Sequence, residues 1–160
     1  MLVTDLNSPL FDSYASLEDL RGYAKTRGYE IPDSDDDCEQ LLMQAMDYLA
    51  GLSWKGNRKS GDQPLAWPRT GIMFDGYPIT DNAIPKQIVQ SQCRLAIDAQ
   101  NIDLAPVIDG GGDVIQESIS GAISVTYAEG TTSSAPKITW LNGALKGFIT
   151  GAGQIRVVRG

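Results

Sequence analysis

The eighteen residues from Trp54 to Gly71, WKGNRKSGDQPLAWPRTG, constrain this chain more than any other stretch. They join two segments with helical periodicity, yet they are too polar and too rich in Gly and Pro to continue a helix. They also hold two of the three tryptophans, Trp54 and Trp67. Large aromatics contribute mainly by being buried, so a connection carrying two of them is expected to pack against the helices that flank it.

The 160 residues suit one domain with a modest core, and the 42% hydrophobic fraction is ordinary. No run of eighteen apolar residues exists, so neither a transmembrane helix nor a membrane partner is expected. The opening MLVTDLNSPLFDSYASLEDL carries acids and no Lys or Arg, the wrong charge for a signal peptide. Synthesis and retention in a cytoplasm are the expectation. Cys38 and Cys93 fall in expected helices without CxxC or Cys/His spacing, and read as small hydrophobic thiols of the core.

Histidine is absent. That removes the commonest general base, the usual Ser and Cys triads, and most zinc and haem sites. Carboxylate or magnesium chemistry is not excluded by this, but no catalytic constellation emerges from the chain, and no enzyme activity, metal or cofactor is expected. The net charge of −7 repels nucleic acid overall. A channel lined by such a protein would let DNA slide past without holding it.

Residues 1–15 read as an extended N-terminal arm. Helix one is expected from Ser16, an N-cap with Asp19 three residues on; Leu17, Leu20 and Ala24 form its stripe and Gly28 its stop. Helix two is expected over about 36–52, where Leu41, Leu42, Ala45, Met46, Leu49 and Leu52 keep the three-four rhythm. Helix three opens with Pro85 in its first turn and runs to about 101, with Ile84, Ile88, Leu95 and Ala99 on its buried side. Beyond the glycines at 110–112 the period changes to two. Ile115, Ile119, Ile123, Val125 and Tyr127 share one face of a long half-exposed strand, with Gly121 a bulge or close-contact point. Residues 137–140 read as a pairing strand, a short helix is expected over 140–149, and a Gly-rich hinge leads to the tail.

The fold class is thus mainly α: a small bundle of three to four helices, plus a long strand or hairpin between helix three and the C-terminal segment. The expected divisions are the arm (1–15), the bundle (16–108) with its packed Trp-rich loop (54–83), a β arm (109–139), and a short helix with tail (140–160). A lone long strand and a hinged apolar-basic tail are features of a subunit in a larger assembly.

Candidate sites are few. Asp33, Asp35, Asp36 and Asp37 resemble the start of a calcium loop, but Cys38 stands where the glycine belongs and Gln44 where the bidentate glutamate belongs. The acids instead suit the positive start of helix two. The glycines at 110–112 and 151–153 lack GxxxxGK[ST] and read as hinges. Lys55, Arg58 and Lys59, with Arg69 and the flanking tryptophans, form either a stacking and phosphate-binding patch or a solvated loop over core anchors. The acidic total favours the second.

Ser13-Tyr14-Ala15-Ser16-Leu17-Glu18, leading into Tyr23 and Arg27-Gly28, resembles the opening of tailed-phage head-tail connector (adaptor, or head-completion) proteins. Trp54-Lys55-Gly56, Leu65 to Gly71, Ile84-Pro85, Gln92-Cys93 and Arg156 to Gly160 resemble a related phage group labelled DnaT-like single-stranded-DNA-binding proteins. The matching pieces run in consistent order over nearly the whole chain. The connector resemblance implies about a dozen copies in a ring beneath the portal, in the virion neck at the head-tail interface, made in the bacterial host cytoplasm. Its partners would be the portal protein, copies of itself, a downstream neck or tail protein, and passing genomic double-stranded DNA.

On this reading Gln154, Ile155, Arg156, Val157, Val158 and Arg159 dock on the portal. Ile115, Ile119, Ile123, Val125 and Tyr127 form the subunit-subunit arm, and Lys55, Arg58 and Lys59 face the DNA. The alternative is a single-strand binder using Trp54, Lys55, Arg58, Lys59 and Trp67. A third class, a carboxylate nuclease, has no residue spacing in its favour.

Overall fold

The computed structural model describes residues 1–107 and 138–150. It contains four helices and two small antiparallel hairpins among the described residues. The expected strand 113–128, the hinge and the docking tail 154–159 lie outside them.

The first helix, α1 (Leu17–Arg27), begins where its sequence dictates. The Ser16 hydroxyl accepts from the Asp19 N–H (3.0 Å), and the Asp19 carboxylate accepts from the Ser16 N–H (2.9 Å). That reciprocal pair satisfies two orphan donors of the first turn. Gly28 closes the helix with a left-handed φ of 75°. The second helix, α2 (Asp35–Ala50), is capped by Ser34, and Asp35, Asp36 and Asp37 fill its first turn. Cys38, Leu42, Ala45, Met46 and Leu49 are its buried stripe.

The third helix, α3 (Lys86–Asp98), packs most extensively on α2, with α1 laid against both. Pro85 stands one position before its first turn, as the N-cap. Ile88, Leu95 and Ala96 face the core, and so does Gln92, which has no exposed surface. The Gln92 amide is fully used: its oxygen accepts from the Tyr14 and Ala15 N–H groups (3.1 and 2.8 Å). Its nitrogen donates to Ser13 Oγ (2.8 Å) and the Leu42 carbonyl (3.1 Å). A buried amide with every bond made holds its surroundings in one arrangement. Residues 1–15 have no regular element, as an extended segment would, yet this clasp and the burial of Phe11, Ser13, Tyr14 and Ala15 join their second half to the core.

The Trp-rich connection is ordered by two hairpins that periodicity does not reveal, since each strand is two residues long. In the first, β1 (Asn57–Arg58) pairs with β2 (Arg69–Thr70), Arg58 opposite Arg69. Gly56 precedes it at φ 71°, and a Cβ there would lie 2.3 Å from the Thr70 carbonyl oxygen. Only glycine allows that approach. In the second, β3 (Met73–Phe74) pairs with β4 (Tyr77–Pro78) around Asp75 and Gly76, both at positive φ (53° and 86°). This is the paired left-handed turn that Asp-Gly favours.

The last helix, α4 (Thr139–Ala144), is shorter than the expected 140–149. Gly147, at φ 95°, passes so close under Phe74 that a Cβ would lie 2.8 Å from its ring. The chain then runs antiparallel to residues 53–55: the Lys55 N–H donates to the Phe148 carbonyl (2.9 Å) and the Thr150 N–H to the Ser53 carbonyl (2.8 Å). Phe148 thereby enters an aromatic cluster. It stacks on Phe74 (4.8 Å) and meets Trp67 edge-on (5.8 Å), while Trp67 meets Trp54 edge-on (5.6 Å). Trp67 is wholly buried, as the loop's composition requires.

Candidate nucleic-acid interface

The first hairpin is held by a single guanidinium. Arg69 donates from Nε to the Lys55 carbonyl (2.6 Å), from one terminal nitrogen to the Ala66 carbonyl (3.0 Å), and from the other to the Gly56 carbonyl (2.9 Å). Its planar fork closes the loop onto itself, a geometry lysine cannot reproduce. Partial burial and then the neighbouring Arg58 lower its pKa from the usual guanidinium value. Beneath it Tyr14 is buried among core residues, and that burial pushes its phenol up to about 12.

Arg69 is thus committed to structure, whereas Lys55, Arg58 and Lys59 are exposed along the same hairpin and its rim. Arg58 donates one bond to the Gln63 carbonyl (2.9 Å), which steadies its side chain with charge to spare. Lys59 lies 3.9 Å from Asp81, both about half exposed. Such a pair is weakly held and readily exchanged for another anion. Lys55 has no side-chain partner among the described residues. Three cations therefore project from a backbone pinned by Arg69 and by the Gln63 amide, which donates to the Leu65 and Pro68 carbonyls.

Trp67 is the core anchor that was expected and not the stacking ring of the alternative reading: it has no exposed face, and Trp54 is half-buried against it. The exposed aromatic of this hairpin is Tyr77 on β4, 76% accessible and opposite Phe74 in the register. Sequence reasoning missed Tyr77, although Phe74-Asp75-Gly76-Tyr77 carries the dipeptide that signals a hairpin.

The remaining candidates fall elsewhere. Asp35, Asp36 and Asp37 start α2, and no group of three potential metal ligands exists among the described residues. Cys38 and Cys93 are buried and unpaired, and burial pushes the Cys93 thiol up to about 12. The portal-docking and subunit-contact residues lie outside the described segments.

No curated protein and no solved structure matches this chain. A family model does match it, over residues 1–160, and that model is not one of connector proteins. The expectation of a head-tail connector is corrected by this finding. With it go the portal, the ring of copies, the neck or tail protein and the passing double-stranded DNA as partners. The match extends over both hairpins and all four helices, so the second of the two resemblances stands: the chain belongs to the family described as "Putative DnaT-like ssDNA binding protein".

Proposed function

We propose that this chain binds single-stranded DNA, without catalysis and without a cofactor, through its first hairpin. The observation that carries the reading is family membership over the whole chain, in a family described by single-strand binding. The hairpin supports it physically. Lys55, Arg58 and Lys59 are concentrated on an otherwise acidic chain, with their backbone held in place before any ligand arrives. Salt screens the repulsion of the distant acids over roughly 8–10 Å, while direct ion contacts persist. Tyr77 on the adjoining hairpin offers a ring face to a base, a contact that tolerates any sequence.

Fluorescence anisotropy with a labelled oligonucleotide tests this. Binding should weaken with salt at a log–log slope of about −2, given about −0.7 for each of three neutralised phosphates. The combined K55E, R58E and K59E variant should stay folded and lose most of its binding. Absence of binding at low salt, or full binding by that variant, would overturn the reading.

A further inference from the structure

A second set of aromatic and cationic side chains lies away from the hairpins, where α1, α3 and α4 meet. A notch of about 290 Å3 opens there between Tyr23, Gln87, Gln90, Ser91, Arg94 and Trp140. Its centre is Arg94, whose guanidinium sits 4.8 Å over the Trp140 ring and 5.7 Å from the Tyr29 ring. Trp140 is itself fixed, because its indole N–H donates to the buried Asp98 carboxylate (2.9 Å). The guanidinium is therefore positioned in advance, with its side chain 23% exposed. Asp98 lies 3.9 Å from Arg94 Nε, too far for a hydrogen bond, so that nitrogen has no partner.

The polar groups around Arg94 are also uncommitted. Ser91 is 2% exposed and its hydroxyl has no hydrogen-bond partner among the described residues. A buried hydroxyl left unpaired costs stability unless something pairs with it. The Gln87 and Gln90 carboxamides make no hydrogen bond among the described residues, in contrast to the saturated Gln92 on the same helix. Guanidinium and hydroxyl donors suit an oxyanion. Two carboxamides with no partner among the described residues, beside the Trp140 ring, suit the edge of a planar heterocycle. A carboxylate alone would leave the carboxamides unused. A neighbouring groove shares Tyr23 and Gln90 with the notch and sets Arg27 and Lys86 beside Glu18 and Asp19, so it adds no net positive charge.

We propose that this notch binds one nucleotide: its phosphate on Arg94 and Ser91, its base edge on Gln87 and Gln90, its ring beside Trp140. It is a second nucleic-acid contact, distinct from the hairpin, and it relies on the single-strand reading only for the source of the nucleotide. The size of the notch, at the small end of ligand sites, admits a single unit of a strand and not a duplex.

The Trp140 indole N–H resonance of the full chain is the reporter, in titrations with deoxyadenosine monophosphate and, separately, inorganic phosphate. The mononucleotide should move that resonance saturably, and Arg94→Lys should weaken it roughly tenfold by losing the fork. The double variant Q87A and Q90A, on half-buried side chains with no hydrogen bond among the described residues, should weaken the mononucleotide and leave phosphate unchanged. Charge reversal at Lys55, Arg58 and Lys59 should leave this titration intact while oligonucleotide binding falls to what the notch alone supplies. An unmoved Trp140 resonance in a protein that binds oligonucleotides would overturn the notch and spare the hairpin. A moved resonance in a protein that binds no oligonucleotide would support the notch and remove the single-strand reading. Equal mononucleotide binding by the Q87A and Q90A variant would overturn the assignment.

Discussion

Two regions of this molecule are ordered by opposite means. Residues 16–50 contain nine acids and three bases, and they fold as helices whose starts, stops and buried stripes follow local rules. Residues 54–71 contain four cations and one acid, and almost no regular structure. Their order comes from a buried tryptophan below and one arginine bonded to three carbonyls above. A helix distributes its stability over many equivalent bonds. The loop concentrates it in a few side chains, so single substitutions should separate the regions sharply.

The largest effect is expected at Trp67→Ala. The ring is fully buried and touches Trp54 and Phe148, so removal should cost about 3–5 kcal/mol. Chemical denaturation measures this directly. A change below about 1 kcal/mol, small for an aromatic truncation, would mean that the loop does not depend on its tryptophan and that the contrast with the helices is wrong.

Arg69→Lys sharpens the same contrast, at about 1–2 kcal/mol for hydrogen bonds a lysine cannot remake. Its informative partner is Ser16→Ala, which removes the α1 cap at about 1 kcal/mol. Hydrogen exchange should distinguish them. Losing the Arg69 fork should speed exchange of the Lys59 N–H, which donates to the Pro68 carbonyl across the hairpin, and spare the helices. Losing the cap should speed α1 and spare the hairpin. If both variants loosened the whole domain equally, the two regions would be one cooperative unit.

The same contrast explains what the sequence revealed. The Ser16 capping box, the Gly28 stop and the α2 stripe were legible because helix signals are local and repeat. The burial of Trp67 was legible from residue type alone. The hairpins were not, because a two-residue strand cannot display a period of two, although Asp75-Gly76 marked one of them. Gln92 was readable in principle: it falls on the buried stripe four residues after Ile88 and three before Leu95, where a polar side chain needs partners. The Tyr23, Arg94 and Trp140 assembly joins residues far apart in the chain, and no spacing rule connects them. The choice between the two phage resemblances went astray for a physical reason. Net charge averages an acidic helical region with a cationic loop, and a binding surface answers to the local value.

The smallest effect concerns Asp98, at the end of α3. Burial raises its pKa above the ordinary carboxylate value, while the Trp140 N–H and Arg94 pull it back part of the way. Between the unfolded and folded values the native state holds more protons than the unfolded state. Stability from this group is therefore complete below the unfolded value and is lost as pH rises through the folded one. Asp98→Asn keeps an acceptor for the indole and cannot ionise. Relative to wild type, the variant should gain stability as pH rises from about 4 towards neutrality, with a plateau beyond. The difference between the two melting temperatures isolates this group from every other carboxylate. A difference that does not change with pH would mean that Arg94 and Trp140 compensate the buried charge in full, and that the α3–α4 corner is as evenly balanced as the helices that flank it.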